Sequence, residues 1–506
     1  MHHRRCLSEI AQPGLQRHTV AEVYRPLIHN RRRRYNWGNS TLGYFRNWQP
    51  DRFQQFQSTH LQPLDVHDVA HVSGKINLIG VHLELTSHPS HTMQTSTLAI
   101  LLSAGMLWSQ SLPRLAPAGL TFTVGNGKLL IRAVTPHGNA ARAGLQPEDI
   151  LLRVDGVPAT PTGPFVRPIL RRAAPASVRL TIERAGQPQD ITLQYPEPPS
   201  ESNVLYGALP VRDHLRRTLL TLPAGAGKHP AILFLPGSGC GSQESPSFFA
   251  PEVRILHALT AAGYATLRVE KSSVGDSEGP PCYSADADLP LDLETYRQAL
   301  AFLRQHPVVN PERLFLFAHS AGATIAPLVA RDEKLRGIIL HGAMGTIFSN
   351  YVLAMRERMA KLGNQPPEKL ELTRECLDRL LNKNQLPEDI VATQPACRAE
   401  VYFDSPPAYI AQWNAINLAD VWRPLQTPVL LLYGQADFIS SEAESRALFT
   451  KIKSRSKKLL ILPMDHGFVA VDQQPQAWDI ETGKRPSPGL YTPVIGHLRA
   501  WLDARH

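Results

Sequence analysis

Cysteine is scarce in this chain, with five in 506 residues, no Cys-x-x-Cys pair and no histidine cluster at metal-ligand spacing. Nothing therefore points to a structural or catalytic metal, and no cofactor is expected. Long apolar runs are also missing. The run at residues 98–108 is eleven residues, too short to cross a bilayer, so no transmembrane span is expected. Positive charge is thin outside the amino-terminal stretch: residues 1–92 hold eleven Lys/Arg against six Asp/Glu and so supply five of the nine net positive charges. The remaining four are spread over more than four hundred residues, which excludes a nucleic-acid partner. Apolar residues make up 43%, enough for a large core, and the length suggests about three domains.

The most informative stretch that is present runs from Phe317 to Gly322. Arg313–Phe317 ahead of it reads as a buried parallel strand, and the small apolar residues Ala321–Ala330 behind it read as a helix packed on a sheet. A serine on the tight turn between such elements is pushed above the sheet, where bulky neighbours would clash. Ser320 holds that position, with Ala318 standing where the usual G-x-S-x-G pattern has its first glycine. Two further strands end in suitable partners: Leu430–Tyr433 leads to Asp437, and Lys458–Leu462 leads to His466. In acyl-transfer chemistry His466 would take the Ser320 proton and return it to the leaving group, while Asp437 would fix the imidazole tautomer. Asp465 and His319 are rival side chains, but each adjoins a proposed member and should point away, so Asp465 is read as structural. An early strand, His229–Leu235, precedes the glycine-rich Pro236–Ser242 turn. No Gly-Lys-Ser/Thr follows, which argues against a phosphate loop. Oxyanion donors are assigned to the backbone amides of Ser238 and Ala321.

The order Ser, Asp, His, each after a predicted strand, resembles the α/β-hydrolase superfamily of serine esterases and peptidases over residues 204–506. Residues 268–279 are similar to the D-x-R-G-x-G-x-S-x-G loop after the superfamily's fourth strand, with Glu270 and Lys271 departing from it. The loop is structural there and receives no catalytic role. The resemblance implies a mostly parallel sheet flanked by helices. The roughly eighty residues between Gly337–Leu340 and Pro428 imply a helical cap insertion at about 348–427. Tyr402, Phe403, Tyr409 and Trp413 in it either line the pocket or form the cap's own core.

Upstream, residues 119–195 resemble a small, mainly-β PDZ domain of the kind found in bacterial envelope proteases. Its most recognisable part is the Ala143-Gly144-Leu145 run leading to Asp149-Ile150-Leu151. The resemblance implies that Gly119, Leu120, Thr121 and Phe122 form a carboxylate-binding loop for the C-terminus of a protein partner. The alternative is a module that merely packs beside the hydrolase. Residues 196–203, rich in Pro, Glu and Ser, read as a linker. Residues 93–118 read as a signal peptide, with cleavage near Ser109–Ser111 or Ala116–Ala118, although no basic residue lies between Met93 and Leu98. On that reading Met93 is the true start, residues 1–92 are a non-native extension, and the protein is periplasmic or secreted. A disordered basic arm on a cytoplasmic protein is the competing view. Of the four cysteines beyond Cys6, Cys240 and Cys282 lie in loops beside the predicted site and are candidates for a bridge, with free buried thiols the alternative. The function expected is hydrolysis of a small-molecule ester, thioester or amide through an acyl-enzyme, an esterase first. Alternatives are a peptidase on short peptides and a catalytically inactive PDZ-bearing binding protein.

Overall fold

A computed structural model describes residues 112–505 apart from 126, 161–169, 246–249, 283, 285 and 402–405. The basic stretch 1–92, most of the signal-peptide segment, and Tyr402 and Phe403 lie outside the described residues.

The amino-terminal part is a small β module. Strands β1 (Leu115–Pro117), β2 (Leu120–Gly125), β3 (Lys128–Val134), β4 (Ile150–Val154), β5 (Val157–Pro158), β6 (Arg171–Ala173), β7 (Ala176–Arg184) and β8 (Gln187–Tyr195) surround a short helix, α1 (Asn139–Arg142). The larger sheet runs β2-β3-β4-β7-β8, and β1 pairs separately with β6. Alternation along β7 puts Val178, Leu180 and Ile182 inside with Leu129, Ile131 and Tyr195, as a half-buried sheet requires. Buried Asp149 takes a bidentate pair from Arg184 and caps the amide of Gln146, which fixes the turn before β4. The region read as the end of a signal peptide belongs partly to this module: Ala116 and Ala118 are in its core and β1 is one of its strands. Cleavage after Ala118 would strip that strand, whereas cleavage near Ser109–Ser111 would leave it.

The second sheet has eight strands, β9 (Val204–Val211), β10 (His214–Thr221), β11 (His229–Leu235), β12 (Ala265–Val269), β13 (Val309–His319), β14 (Gly337–His341), β15 (Val429–Gly434) and β16 (Lys457–Leu462). Their order is β9-β10-β12-β11-β13-β14-β15-β16, with β10 antiparallel to both neighbours and the remainder parallel. Because helices cover both faces, β11 and β13–β15 carry near-continuous apolar runs. The covering helices include α2 (Pro251–Ala261), α3 (Leu289–Gln305) and α4 (Ala321–Ala330). Between β14 and β15 the chain forms α5 (Phe348–Leu362), α6 (Pro367–Leu381), α7 (Pro387–Thr393), α8 (Arg398–Val401), α9 (Pro407–Asn414) and α10 (Leu418–Trp422). A Cys376–Cys397 disulfide staples this insertion. Tyr409 and Trp413 are buried within it, ring against ring at 6.1 Å, and the Tyr409 hydroxyl reaches back to Asp292 on α3. Three further helices, α11 (Glu442–Lys451), α12 (Gln474–Glu481) and α13 (Pro493–Asp503), complete the layer.

The stretch 196–203, read as a linker, is fastened near its end. Glu201 is buried and accepts both guanidinium N–H groups of Arg268 on β12, at 2.9 and 2.7 Å, and also contacts His257 on α2. Residues 112–115 are fastened as well: Arg217 on β10 donates to the Leu112 carbonyl at 2.7 Å, and the Leu115 amide donates to Asp276 at 2.8 Å. Arg114 joins Glu244 and Asp276 at 2.7 and 3.0 Å and stacks on Tyr206.

Candidate active site

Ser320 occupies the single residue between β13 and α4, with φ 54° and ψ −118°. That conformation costs a non-glycine residue about 1–3 kcal/mol and persists only where its surroundings impose it. Here they do. The Ser320 amide donates to the His341 carbonyl on β14 at 2.8 Å, while its own carbonyl accepts from Ala323 and Thr324 to start the helix. Two residues on, a Cβ at Gly322 would lie 2.2 Å from the Leu235 carbonyl oxygen, so α4 can pack this closely on β11 only with glycine there. Ala318, by contrast, is fully buried in β13 between β11 and β14, and its methyl group is accommodated.

His466 and Asp437 come from the carboxyl ends of the neighbouring strands β16 and β15. His466 Nδ1 and Asp437 Oδ2 are 2.8 Å apart. Asp437 has no solvent exposure, and its Oδ1 accepts from the amides of Ile439 and Ser440, both at 2.8 Å. The Ser440 hydroxyl adds a 2.5 Å bond to Oδ2. Burial pushes the Asp437 carboxyl up, but the adjacent imidazole and these donors outweigh it and hold it at about 2. Burial pulls His466 down, yet Asp437 with its hydrogen bond lifts it above the ordinary histidine value. The structure thus brings Ser320, Asp437 and His466 to one end of the sheet. Among the described residues no hydrogen bond joins the Ser320 hydroxyl to His466.

The rival side chains have other partners. Asp465 accepts from the Val469 amide at 2.8 Å, and burial raises it to about 6. His319 spans Glu252, at 3.3 Å, and the backbone carbonyl of His466, at 2.9 Å. His341 lies fully buried beneath, stacked on His319 with ring centroids 5.3 Å apart, and burial holds it neutral.

The glycine-rich turn with Ser238 lies against Ser320: a Cβ at Gly237 would be 3.2 Å from Ser320 Cβ. Cys240 and Cys282 are bridged, tying this turn to the loop after β12. Lys271 from that loop donates to the carbonyls of Gly237 and Gly239 at 2.9 and 3.1 Å, and Glu270 accepts from the Gln243 amide at 3.0 Å and from the Ser242 hydroxyl. Burial raises Glu270 to about 7 against those two bonds. Sequence reasoning gave Lys271 no role at the site and did not single out Ser440. The signal for Lys271 was its departure, with Glu270, from the usual loop pattern.

Ala321 opens α4, so its amide faces the same end of the sheet. In the β module, Gly119 turns with φ +74° immediately before β2, and Leu120, Thr121 and Phe122 lie on that strand. Among the described residues β2 is the end strand of its sheet and pairs with β3. A groove of about 660 Å³ lined by Arg313, Glu333 and Arg336 lies at the opposite, amino ends of the strands and holds none of these groups. No cluster of three or more metal-ligating side chains and no membrane-crossing helix occurs among the described residues.

The sheet order is that of an α/β-hydrolase fold preceded by a small β module, and the family comparisons support an α/β-hydrolase with a PDZ domain. Residues 251–466 match the serine aminopeptidase S33 family and residues 130–184 match the PDZ domain family. Esterase EstD of Thermotoga maritima is 21% identical over 310 residues, 61% of this chain and 68% of its own length. Polyketide transferase ATR5 of Stachybotrys chlorohalonatus is 27% identical over 201 residues, 37% of this chain and 66% of its own. Among solved structures, Est1E from Butyrivibrio proteoclasticus aligns with 60% of this chain and 99% of its own at 14% identity and a TM-score of 0.38.

Proposed function

We propose that this protein is a serine esterase that cleaves a carboxylic ester through an acyl-enzyme. The observation carrying the reading is the 2.8 Å His466–Asp437 pair set beside a serine held at positive φ on a strand–helix turn. In this mechanism Ser320 attacks the carbonyl carbon while His466 removes its proton. The tetrahedral oxyanion is met by the amides of Ser238 and Ala321. Imidazolium then protonates the leaving alcohol, and water repeats the sequence to release the acid. Asp437, held at about 2 and so ionised near neutral pH, holds the tautomer that presents Nε2 to serine. Similarity to a protein named an esterase supports the ester class. The serine aminopeptidase family match keeps a peptidase as the second reading. Turnover of a p-nitrophenyl ester series beside aminoacyl-anilides separates them, and a preference for the anilides would overturn the esterase assignment. Labelling by a fluorophosphonate tests for an activated serine, and its absence would favour a binding protein on an inactive hydrolase scaffold.

The base must be neutral to act, so activity should rise with pH through the titration of His466. Burial lowers that pKa, but Asp437, Asp465 and Glu252 together raise it above the ordinary value. The acid limb of kcat/KM for an ester should therefore lie above about 6.5 and shift down in Asp437→Asn. A wild-type limb well below that value would contradict the assigned pair.

A protein C-terminus is the partner proposed for the β2 edge and its Gly119–Phe122 loop. Deleting residues 119–195 should leave kcat/KM on a p-nitrophenyl ester within a few fold, because Ser320, Asp437, His466 and their partners all lie beyond residue 203 and the 112–115 fastening remains. Affinity for the peptide partner should be lost. Equal loss on the ester, in a deletion variant still folded by circular dichroism, would show that the module helps to build the site.

A further inference from the structure

Resting on the esterase reading, we propose that Lys271, which holds the glycine-rich loop from outside the proposed triad, is the positioning residue that sets the orientation of the oxyanion-hole peptide. The argument begins with backbone geometry. In a trans peptide the C=O of one residue and the N–H of the next point in opposite directions, and the unit is planar. Fixing the carbonyl of Gly237 therefore fixes the Ser238 N–H, and fixing the carbonyl of Gly239 fixes the Cys240 N–H.

Lys271 Nζ holds both carbonyls, at 2.9 and 3.1 Å. These are charge-assisted bonds to the one side of the loop that faces away from its amides. The other side of the Gly237 backbone is against Ser320, with the glycine Cβ direction ending 3.2 Å from Ser320 Cβ and 3.7 Å from its hydroxyl. The amide at Ser238 is thereby presented where charge develops on attack. Glycine at 237 and 239 leaves this loop with little intrinsic preference for one peptide orientation, so an external clamp is required. Two further fastenings act further along. The Cys240–Cys282 bridge fixes the end of the turn, and Glu270 takes the Gln243 amide. Neither touches the Gly237–Ser238 peptide. Lys271 alone among these does.

Lys271 sits outside the reacting atoms, so its effect belongs to the transition state. Removing a single oxyanion donor lowers kcat by about 10²–10³. A donor that is misaligned and still present should cost less, roughly 10–100-fold in kcat. KM for a simple ester should stay within about twofold, because the ground-state carbonyl carries little charge. A boronic acid forms a tetrahedral adduct on serine in which a B–O bond forms to Ser320, the hydroxyl proton passes to His466, and a boron-bound oxygen occupies the oxyanion position. Its affinity should fall by the same factor as kcat.

The test is Lys271→Met beside Lys271→Arg and Ser320→Ala in the full-length protein, with kcat, KM and boronate affinity on one p-nitrophenyl ester. Lys271→Met should show the split stated above, Lys271→Arg should recover most of it, and the acid limb of the pH profile should not move. A folded Lys271→Met with kcat within twofold of wild type overturns the proposal. So does a fall in kcat with boronate affinity unchanged, because the loss would then lie outside the tetrahedral state. If Lys271→Met fails to fold, Lys271→Gln, which donates to one carbonyl at a time, reads the same quantities against the same limits. Ser320→Ala separates the two levels of argument. Activity surviving in it removes the esterase reading and this inference together, whereas activity lost in it and kept in Lys271→Met removes only this inference.

Discussion

Ser320→Ala is expected to abolish ester turnover and fluorophosphonate labelling while leaving the fold unchanged. The alcohol is the only atom set lost, and every backbone bond that shapes the turn is made by main-chain groups: the amide to the His341 carbonyl, the carbonyl to Ala323 and Thr324. Alanine accepts positive φ as poorly as serine does, so stability should change by less than about 1 kcal/mol. The rate, by contrast, should fall by on the order of 10⁴–10⁶, because nucleophile, base and orienting carboxylate act as one unit. The oxyanion donors and binding alone leave only a small residue of catalysis. Steady-state kinetics on a p-nitrophenyl ester measures this. More than a few per cent of wild-type activity in a clean preparation would take Ser320 out of the nucleophile's role.

The largest stability effect is expected at Arg268. Its guanidinium and the Glu201 carboxylate are both buried, joined by two parallel bonds, and Arg268 also donates to the Gln243 carbonyl at 2.6 Å. Breaking such a pair strands a buried charge and costs about 3–5 kcal/mol. Arg268→Met should lower the melting temperature by on the order of 10 °C. Burial pushes Glu201 up, but His257, Arg268 and the Ser245 amide hold it at about 2, below its unfolded value. A depressed carboxylate stabilises the fold above the unfolded pKa and loses that contribution as pH falls through the folded one. In the wild type the loss should therefore come between about pH 4.3 and pH 2. Without Arg268 it should begin at higher pH. Glu201→Met with Arg268→Met should recover much of the melting temperature, since an apolar replacement leaves no unpaired charge. Differential scanning calorimetry of the wild type and the two variants from pH 3 to pH 8 would show this, and Arg268→Met within 2 °C of wild type would refute it.

The parallel core was legible because burial on two faces leaves a direct trace. Arg313–Phe317, Leu430–Tyr433 and Lys458–Leu462 read as strands and fall within β13, β15 and β16, and His229–Leu235 matches β11. The polar residues just past the ends of these strands were readable for the same reason, because a polar group there has no place in the core. What escaped was long-range pairing. Glu201 sits in a Pro- and Ser-rich run that composition marks as a tether, and its partner Arg268 is 67 residues away. Nothing local distinguishes a solvated glutamate from a buried one whose counter-charge arrives on another strand. Lys271 escaped likewise, since its partners are backbone carbonyls, which every residue has. Of the two disulfides, Cys240–Cys282 was suggested by its two loops, while Cys376–Cys397 joins helices of an insertion whose packing no periodicity discloses.

The PDZ module is mounted at both ends: residues 112–115 are bound to Arg217, Glu244 and Asp276 on one side, and Glu201 is locked to Arg268 on the other. A module hung on a loose tether would let a captured chain sweep many distances from the serine. This one is a bracket. A chain end held at Gly119–Phe122 would meet the active site at a set span, so the count of residues between that end and the bond to be cut becomes the quantity selected. A substrate too short to bridge that gap would gain nothing from being held.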